Sequence, residues 1–580
     1  MMNFAGTFHR ETPDMCYPVD NDRLVINLKT GKDVDAVFLI YEDPFIHHLN
    51  GWPEWSGKRE KMTLNRELEH QYIWSMTVTP RFKRLMYYFE IEADGEIYCL
   101  LENHLCKKQD IDAYTKRFFK YACMSPSDLI APPKWVEDII WYHIFPDRFR
   151  RDANAPARDY IKPWGDFTAD FNQNYRTGGT IKGITEKLDY IKGLGCNGLF
   201  LTPIYTTDSN HKYNPYDYTI DPDFGTEDDM RELVAEAHKR GMRVMLDSVF
   251  NQCGLQFGPW LDVKKNGKAS KYFDWFFINC DSITDEDSMT GDGRYYTFSF
   301  FPGMPKLNTN NPEVIDYFTN LCCYWATNWD LDALRFDVGE EVSHTFIKHA
   351  CAALRKAKPD IYIPAEIWMD SITWLDGGEF DAVTNFPFTD FVTDFWSNKE
   401  LTSKDFMYRM NLALSRYPEQ VNRVMFNFVD SHDMPRVNEV SDNYDVVLQK
   451  MVLLMTTTGT PFIYYGTELA MTGTGDPSNR ACMPWDKIEN GDFDNYIEDI
   501  KKLTALRNEN PACKEHKITY QICDKAPRLL SYIKNDEMKV VINACDKDCP
   551  IAEEGSIIYA NKYANGTLEK DGVVVFALNK

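Results

Sequence analysis

The chain has 580 residues, 44% apolar and 14% aromatic, with a formal net charge of −24. That length exceeds one ordinary core and calls for about three domains. The negative field excludes nucleic acid and anionic membrane surfaces as partners and suits a neutral substrate.

Residues 1 to 125 read as an N-terminal β-sandwich. Short runs such as Leu24–Leu28, Ala36–Tyr41, Ile73–Val78 and Leu85–Ile91 are rich in β-branched and aromatic residues and are separated by turn residues. Ser125-Pro126 and Ala131-Pro132-Pro133 follow as a linker. From 135 to 505 strand and helix alternate. The predicted strands are 139–145, 198–201, 243–246, 332–336, 361–365, 380–383, 423–428 and 461–465. A helix starting at Thr226 has Asp229 three residues on, the pattern of a capping box, and an apolar stripe Met230, Leu233, Val234, Ala237. Another starts at Asn311-Pro312 and carries Val314, Ile315, Phe318, Leu321 and Trp325 on one face. Eight such units predict an α/β fold, a (β/α)8 TIM barrel. A long connection after strand three, about 253–310, predicts an inserted subdomain. Residues 510 to 580 return to strands without helices and predict a C-terminal β-sandwich.

Four predicted strands end in polar clusters: Asp247 to Gln252, Arg335 to Asp337, Glu366 to Trp368, and Asp430 to Asp433. Charges that close apolar runs are paired or used, and a barrel gathers its strand ends on one face. Two carboxylates suffice for glycoside hydrolysis. A solvated rim and metal-assisted chemistry stand as alternatives. Arg335 lies two residues before Asp337 and so shares its face of the strand; a guanidinium there favours an ionised nucleophile. Glu366 is flanked by Ala365, Ile367 and Trp368, an apolar setting that suits a general acid. His432 and Asp433 can grip vicinal hydroxyls.

These stretches resemble the α-amylase family of glycoside hydrolases, in its cyclomaltodextrinase, neopullulanase and maltogenic amylase branch. The resemblance runs through Tyr142–Phe149, Gly195–Pro203, His211–Tyr218, Asp247–Asn251, Met304–Asn308, Arg335–Glu341, Ala365–Trp368, Asp430–Asp433, Gly459–Pro461 and Tyr465–Glu468. Met304-Pro305-Lys306-Leu307-Asn308 favours the branch. The resemblance implies a retaining, endo-acting hydrolase of α-1,4-glucosidic bonds in cyclomaltodextrins, maltooligosaccharides and pullulan, working through a covalent glucosyl-enzyme. An α-glucosidase, a glucanotransferase and a non-catalytic glucan-binding protein are the alternatives. Asp337 is the implied nucleophile, Glu366 the acid and base, and Asp433 the transition-state stabiliser. Arg335 is implied to orient Asp337, and His432, His211, Tyr213, Asp476 and Arg480 to hold sugar, with Asp247 supporting the floor of the site. The N-terminal domain resembles a starch-binding module, with Trp52, Trp55 and Trp74 as stacking candidates although its strand position favours core packing for Trp74, and the branch implies a homodimer formed through it.

The departures are Gln252 where the family usually has His, which keeps a hydrogen-bond donor without charge, and Met369 where many relatives have His. Arg150–Ala155 and Gly178-Gly179-Thr180 lack the usual calcium ligands, so neither metal nor cofactor is expected. The first fifteen residues carry no signal-peptide core. No run approaches the roughly 20 apolar residues of a membrane span. Fifteen cysteines show no paired C-x-x-C pattern. All three point to the cytoplasm.

Overall fold

Eight parallel strands form the frame of the site: Trp141–Ile144 (β1), Gly198–Leu201 (β2), Arg243–Ser248 (β3), Ala333–Phe336 (β4), Pro364–Ala365 (β5), Ala382–Val383 (β6), Phe426–Asn427 (β7) and Thr460–Tyr464 (β8). They pair in the order β6-β5-β4-β3-β2-β1-β8-β7. A parallel bridge from Thr384 to Phe426 joins the two ends and closes the barrel. The computed structural model describes residues 2–49, 54–113, 117–155, 157–165, 174–284 and 290–578.

The predicted strands all form, but β5, β6 and β7 are only two residues long. Pro364 has no N–H to give the ladder, so pairing beside it is broken into single contacts. Tyr362 still donates to the Asp332 carbonyl at 3.0 Å, and Asp381 accepts the Ile363 N–H through its carboxylate at 2.8 Å. The barrel interior is aromatic. Phe200 lies 5.4 Å from Phe426, which lies 4.6 Å from Phe462.

Helices cover the barrel as the sequence predicts. Glu227–Lys239 has Thr226 and Asp229 in a reciprocal capping box and buries Met230, Leu233, Val234 and Ala237. Pro312–Asn328 is capped by Asn311 and buries Val314, Ile315, Phe318 and Trp325. Leu321 is only half-buried, and Cys322 fills the core beside it. The insertion after β3 holds a helix, Gly258–Asn266, and isolated antiparallel bridges Phe276–Leu307, Ile278–Tyr295 and Thr297–Pro305. Trp260 packs against Phe276 and Tyr295 in its centre. The C-terminal strands form an antiparallel set in which Thr567–Leu578 pairs with Met538–Asn543, Cys549–Pro550 and Gly555–Ala564.

The chain divides into two compact units: Met1–Ala131 with Ile372–Gly378 and Glu400–Asn422, and Pro132–Ser371 with Glu379–Lys399 and Arg423–Lys580. The first unit is a sandwich of two antiparallel sheets. Leu24, Ile26 and Leu28 of one sheet and Val37, Leu39, Phe89 and Ile91 of the other fill its core. The chain re-enters this unit late. In the helix Ser403–Leu414, Asn411 donates to the Glu67 carbonyl at 2.9 Å and Tyr408 to the Glu67 carboxylate at 3.2 Å. Trp74 is buried and donates to Thr30, so it is a core residue. Trp55 is half-buried and donates to the Asp43 carbonyl; Trp52 lies outside the described residues.

Candidate active site

The ladder sets the height of the carboxylates. Asp247 on β3 stands opposite Arg335 on β4, and Phe336 stands opposite Ala365 on β5. Asp337 and Glu366 each follow one of these paired residues, so they leave the sheet at the same level on neighbouring strands. Their backbones are tied there: Asp337 N–H donates to the Ser248 carbonyl at 3.0 Å, and Glu366 N–H to the Phe336 carbonyl at 2.8 Å. The two side chains approach the same guanidinium, that of Arg335. Val338, between them in the site, is a β-branched residue at φ 45°. That left-handed conformation is costly for such a residue and marks strain held by its surroundings. It turns the Val338 N–H onto Glu366 Oε2 at 3.3 Å.

Arg335 is the hub. One nitrogen, Nη1, pairs with Asp247 and lies 3.7 Å from Asp337, while Nη2 is 3.0 Å from Glu366. The sequence predicts a guanidinium beside Asp337 and apolar neighbours around Glu366, and both are present: Arg335 pairs with Asp337, and Ala365 and Ile367 are buried. The structure adds two contacts. Arg335 reaches across the ladder to Asp247 because the register puts them opposite. The indole N–H of Trp368, expected as an apolar neighbour, donates to Glu366 Oε1 at 2.9 Å.

Three buried carboxylates, Asp247, Asp337 and Glu366, thus surround one guanidinium. Burial pushes Asp337 well above the usual carboxylate range, and the negative charges of Glu366 and Asp247 add to this. Burial likewise pushes Asp247 up to about 7 against the pull of Arg335. Like charges this close do not all ionise, so the raised Asp337 and Asp247 hold protons more firmly than ordinary carboxyls do.

A polar chain runs from this cluster to β7. Tyr213 OH donates to Asp247 Oδ2 at 2.8 Å and lies 2.8 Å from His432 Nε2, which lies 3.1 Å from Asp433 Oδ2. The Tyr213 and His432 rings stack with planes 5° apart. Burial, with Arg480 and Arg335 nearby, holds His432 neutral, well below the usual imidazole range. His211 is pushed down to about 3 by burial, and its Nδ1 accepts from the Tyr213 N–H at 3.0 Å. Arg480 closes the ring: Nη2 is 3.4 Å from Asp433, Nη1 is 3.1 Å from Asp476, and Nε donates to the His432 carbonyl at 3.0 Å. Asp433 keeps 34% of its side chain exposed, so its carboxylate is open to a ligand. Asp476 is the outermost member, at 56% exposed. Gln252 donates to the Tyr213 carbonyl at 3.0 Å and to Asp337 Oδ2 at 3.3 Å. All eleven residues picked out in the sequence therefore join one network on the barrel face where β3, β4, β5 and β7 end.

The sequence did not single out three others. Asn479 is fully buried and donates to the carbonyls of His432 and Met434, both at 2.9 Å. His143 stacks on Phe200 beneath His432. Lys306 of the insertion pairs with Glu341 at 2.7 Å and donates to Asn251, tying the insertion to the ends of β3 and β4. Asn479 sits beside Arg480 and Lys306 lies in the branch-marking segment, which were the available signals. Trp368 stacks on Phe386 and is half exposed, with Met369 exposed beside it. Among the described residues no group of three or more His, Cys, Asp or Glu side chains could hold a metal ion.

Removing the hub should show in stability. Arg335→Met leaves buried carboxylates without their counter-ion and is expected to cost about 3–5 kcal/mol. Urea unfolding measures this, and a loss under about 1 kcal/mol would contradict the central role given to Arg335.

The alpha amylase catalytic domain family matches residues 143–535, and the alpha amylase N-terminal ig-like domain family matches residues 1–125. A cyclomaltodextrinase from Geobacillus thermopakistaniensis is 38% identical over 95% of this chain and 92% of its own. An intracellular maltogenic amylase from Bacillus subtilis is 36% identical over 93% of this chain and 90% of its own. A solved cyclomaltodextrinase structure superposes with a TM-score of 0.89 at 31% identity, covering 99% of this chain and 100% of that one. The chain belongs to the α-amylase family and is a glycoside hydrolase of its cyclomaltodextrinase, maltogenic amylase and neopullulanase branch.

Proposed function

We propose that the protein hydrolyses α-1,4-glucosidic bonds within cyclomaltodextrins, maltooligosaccharides and pullulan, with retention of configuration through a covalent β-glucosyl-enzyme. The observation that carries this reading is the placing of Asp337 and Glu366 around one guanidinium, 3.7 Å and 3.0 Å from Arg335, at the same level on neighbouring strands. Retaining enzymes hold their carboxyls about 5–5.5 Å apart, whereas inversion needs about 6.5–9.5 Å to seat a water. Two carboxyls gathered around the same guanidinium support the closer spacing and so retention.

Glu366 donates a proton to the glycosidic oxygen as the bond breaks, and the Asp337 carboxylate attacks the anomeric carbon. Asp433 and neutral His432 hold hydroxyls of the same glucose unit. Its position beside Arg480 keeps Asp433 aimed at the ring, where its charge faces the developing oxocarbenium ion. Glu366, now ionised, takes a proton from water, which displaces Asp337. No step draws on a metal or cofactor.

The proposal extends to a homodimer formed through the N-terminal domain, as in the branch the sequence resembles, and to a cytoplasmic location. The relative named as an intracellular maltogenic amylase supports the location. No described helix is long and apolar enough to cross a membrane.

The test is incubation with β-cyclodextrin, pullulan and soluble starch, with and without EDTA, followed by product analysis and proton NMR in the first minutes. Maltooligosaccharides released as the α-anomer at the same rate in EDTA are expected. First release of the β-anomer, or no hydrolysis of any of the three, overturns the reading.

A further inference from the structure

Outside the carboxylate cluster, the described residues include a cavity of about 630 Å³ whose lining includes Arg158, Tyr160, Arg176, Asp208, Tyr216 and Asp223. Its volume falls within the range of small-ligand sites, about 300–1,000 Å³. Tyr160 is the informative member. Half of it is exposed, yet it is fixed on several sides. Its hydroxyl lies 2.9 Å and 2.8 Å from the two Asp223 oxygens. The Arg176 guanidinium lies 5.4 Å from its ring centre and pairs with Asp223 at 2.7 Å. Arg158 approaches the same carboxylate at 3.4 Å. The backbone beneath is pinned by a parallel bridge between Ile161 and Arg176.

An exposed tyrosine normally moves freely, and immobilising it costs side-chain entropy. Here that cost is already met by an ion-paired frame, which leaves a rigid aromatic ring open to solvent. A fixed aromatic face beside carboxylates and guanidinium groups matches the two kinds of surface on a pyranose: an apolar face of C–H groups and an edge of hydroxyls. The arginines are neutralised by Asp223 and by Asp221, with Asp208 adding a further negative charge. This balance disfavours an anionic ligand and favours a neutral one.

We propose that this cavity is a second binding site for maltooligosaccharide, with a glucose unit stacked on Tyr160 and its hydroxyls bonded by Arg158 and Asp208. The proposal rests on the glucan-hydrolase reading for the choice of sugar. Thr206, Thr207 and Tyr216 in its wall lie on the segment that carries His211 and Tyr213. A bound chain would therefore be held beside the catalytic network without entering it.

The experiment titrates maltoheptaose into the full-length Asp337→Asn protein by calorimetry and repeats this with Tyr160→Ala added. The second variant is expected to bind one ligand fewer per chain, or to show one class of site weakened about tenfold, the size of a lost aromatic stack. Tyr160→Ala alone should hydrolyse a nitrophenyl maltoside with unchanged kcat/KM. Superimposable isotherms with and without Tyr160→Ala overturn the second site and leave the catalytic reading intact. Absence of any maltoheptaose binding overturns both. If Tyr160→Ala lowers the thermal midpoint, Tyr160→Phe decides, because it keeps the ring and releases its hydroxyl. Binding close to that of the parent is then expected from the retained ring, and a loss as large as that of Tyr160→Ala overturns the proposal.

Discussion

Asp337→Asn is expected to lower kcat on β-cyclodextrin by about 10⁴–10⁶-fold and to leave the fold intact. The amide keeps the size of the carboxyl and cannot form the ester to the anomeric carbon. Stability should move the other way. Asp337 is buried and pushed above the ordinary carboxylate range in the folded chain. The folded state therefore binds more protons than the unfolded one from the ordinary carboxylate range upward, and stability falls as pH rises through that window. Asparagine does not titrate and removes this contribution. At pH 8 the variant should melt about 2 °C higher than the parent, roughly what 1 kcal/mol produces in a long chain. The difference should shrink toward pH 4. Thermal unfolding across pH reads this directly; a variant that melts lower at pH 8 would show that the carboxylate cluster is not under electrostatic strain. Asp337→Ala also opens room for azide, which should restore turnover of an activated maltoside and yield the β-azide.

Glu366→Gln is expected to reduce hydrolysis of β-cyclodextrin by about 10²–10⁴-fold, the range for loss of a general acid and base. The loss should depend on the leaving group. A sugar alkoxide needs the proton that Glu366 supplies, whereas a dinitrophenolate departs without one. The first step on dinitrophenyl maltoside should therefore stay fast, and the glucosyl-enzyme should accumulate because no base activates water. Azide needs no base and should restore turnover with formation of the α-azide. Rapid-quench kinetics and product NMR check both points. Equal losses on the dinitrophenyl and cyclodextrin substrates would remove Glu366 from the acid role. Opposite azide anomers from the Asp337 and Glu366 variants would separate the two roles by stereochemistry alone.

The parts of the fold that could be read from the sequence were those with local causes. Thr226 and Asp229 announce a helix start because the capping box lies within four residues, and Asn311-Pro312 does the same. The strand ends showed the site because apolar runs stop at Asp247, Arg335, Glu366 and Asp430. Features that depend on register were hidden. Arg335 prefers Asp247 over Asp337 because β3 and β4 set the first two opposite each other, and neither run states its alignment. Trp368 reads as apolar in sequence, yet its single N–H meets Glu366. In the N-terminal unit, the strand Lys58–Lys61 escaped notice because all four of its residues are charged and exposed, as suits a protected sheet edge. Asn479 escaped because its three contacts are to carbonyls of a distant loop, which no side-chain pattern encodes.

The late return of Glu400–Asn422 to the unit begun by Met1–Ala131 has a consequence for biosynthesis. On a translating ribosome the leading module emerges without the segment that completes its outer contacts. Its apolar core comes entirely from residues 2–124, but Glu67 lacks its partners Tyr408 and Asn411 until most of the barrel has been synthesised. Because both modules are interrupted in the chain, neither can be excised at a single cut with all of its parts and grafted elsewhere.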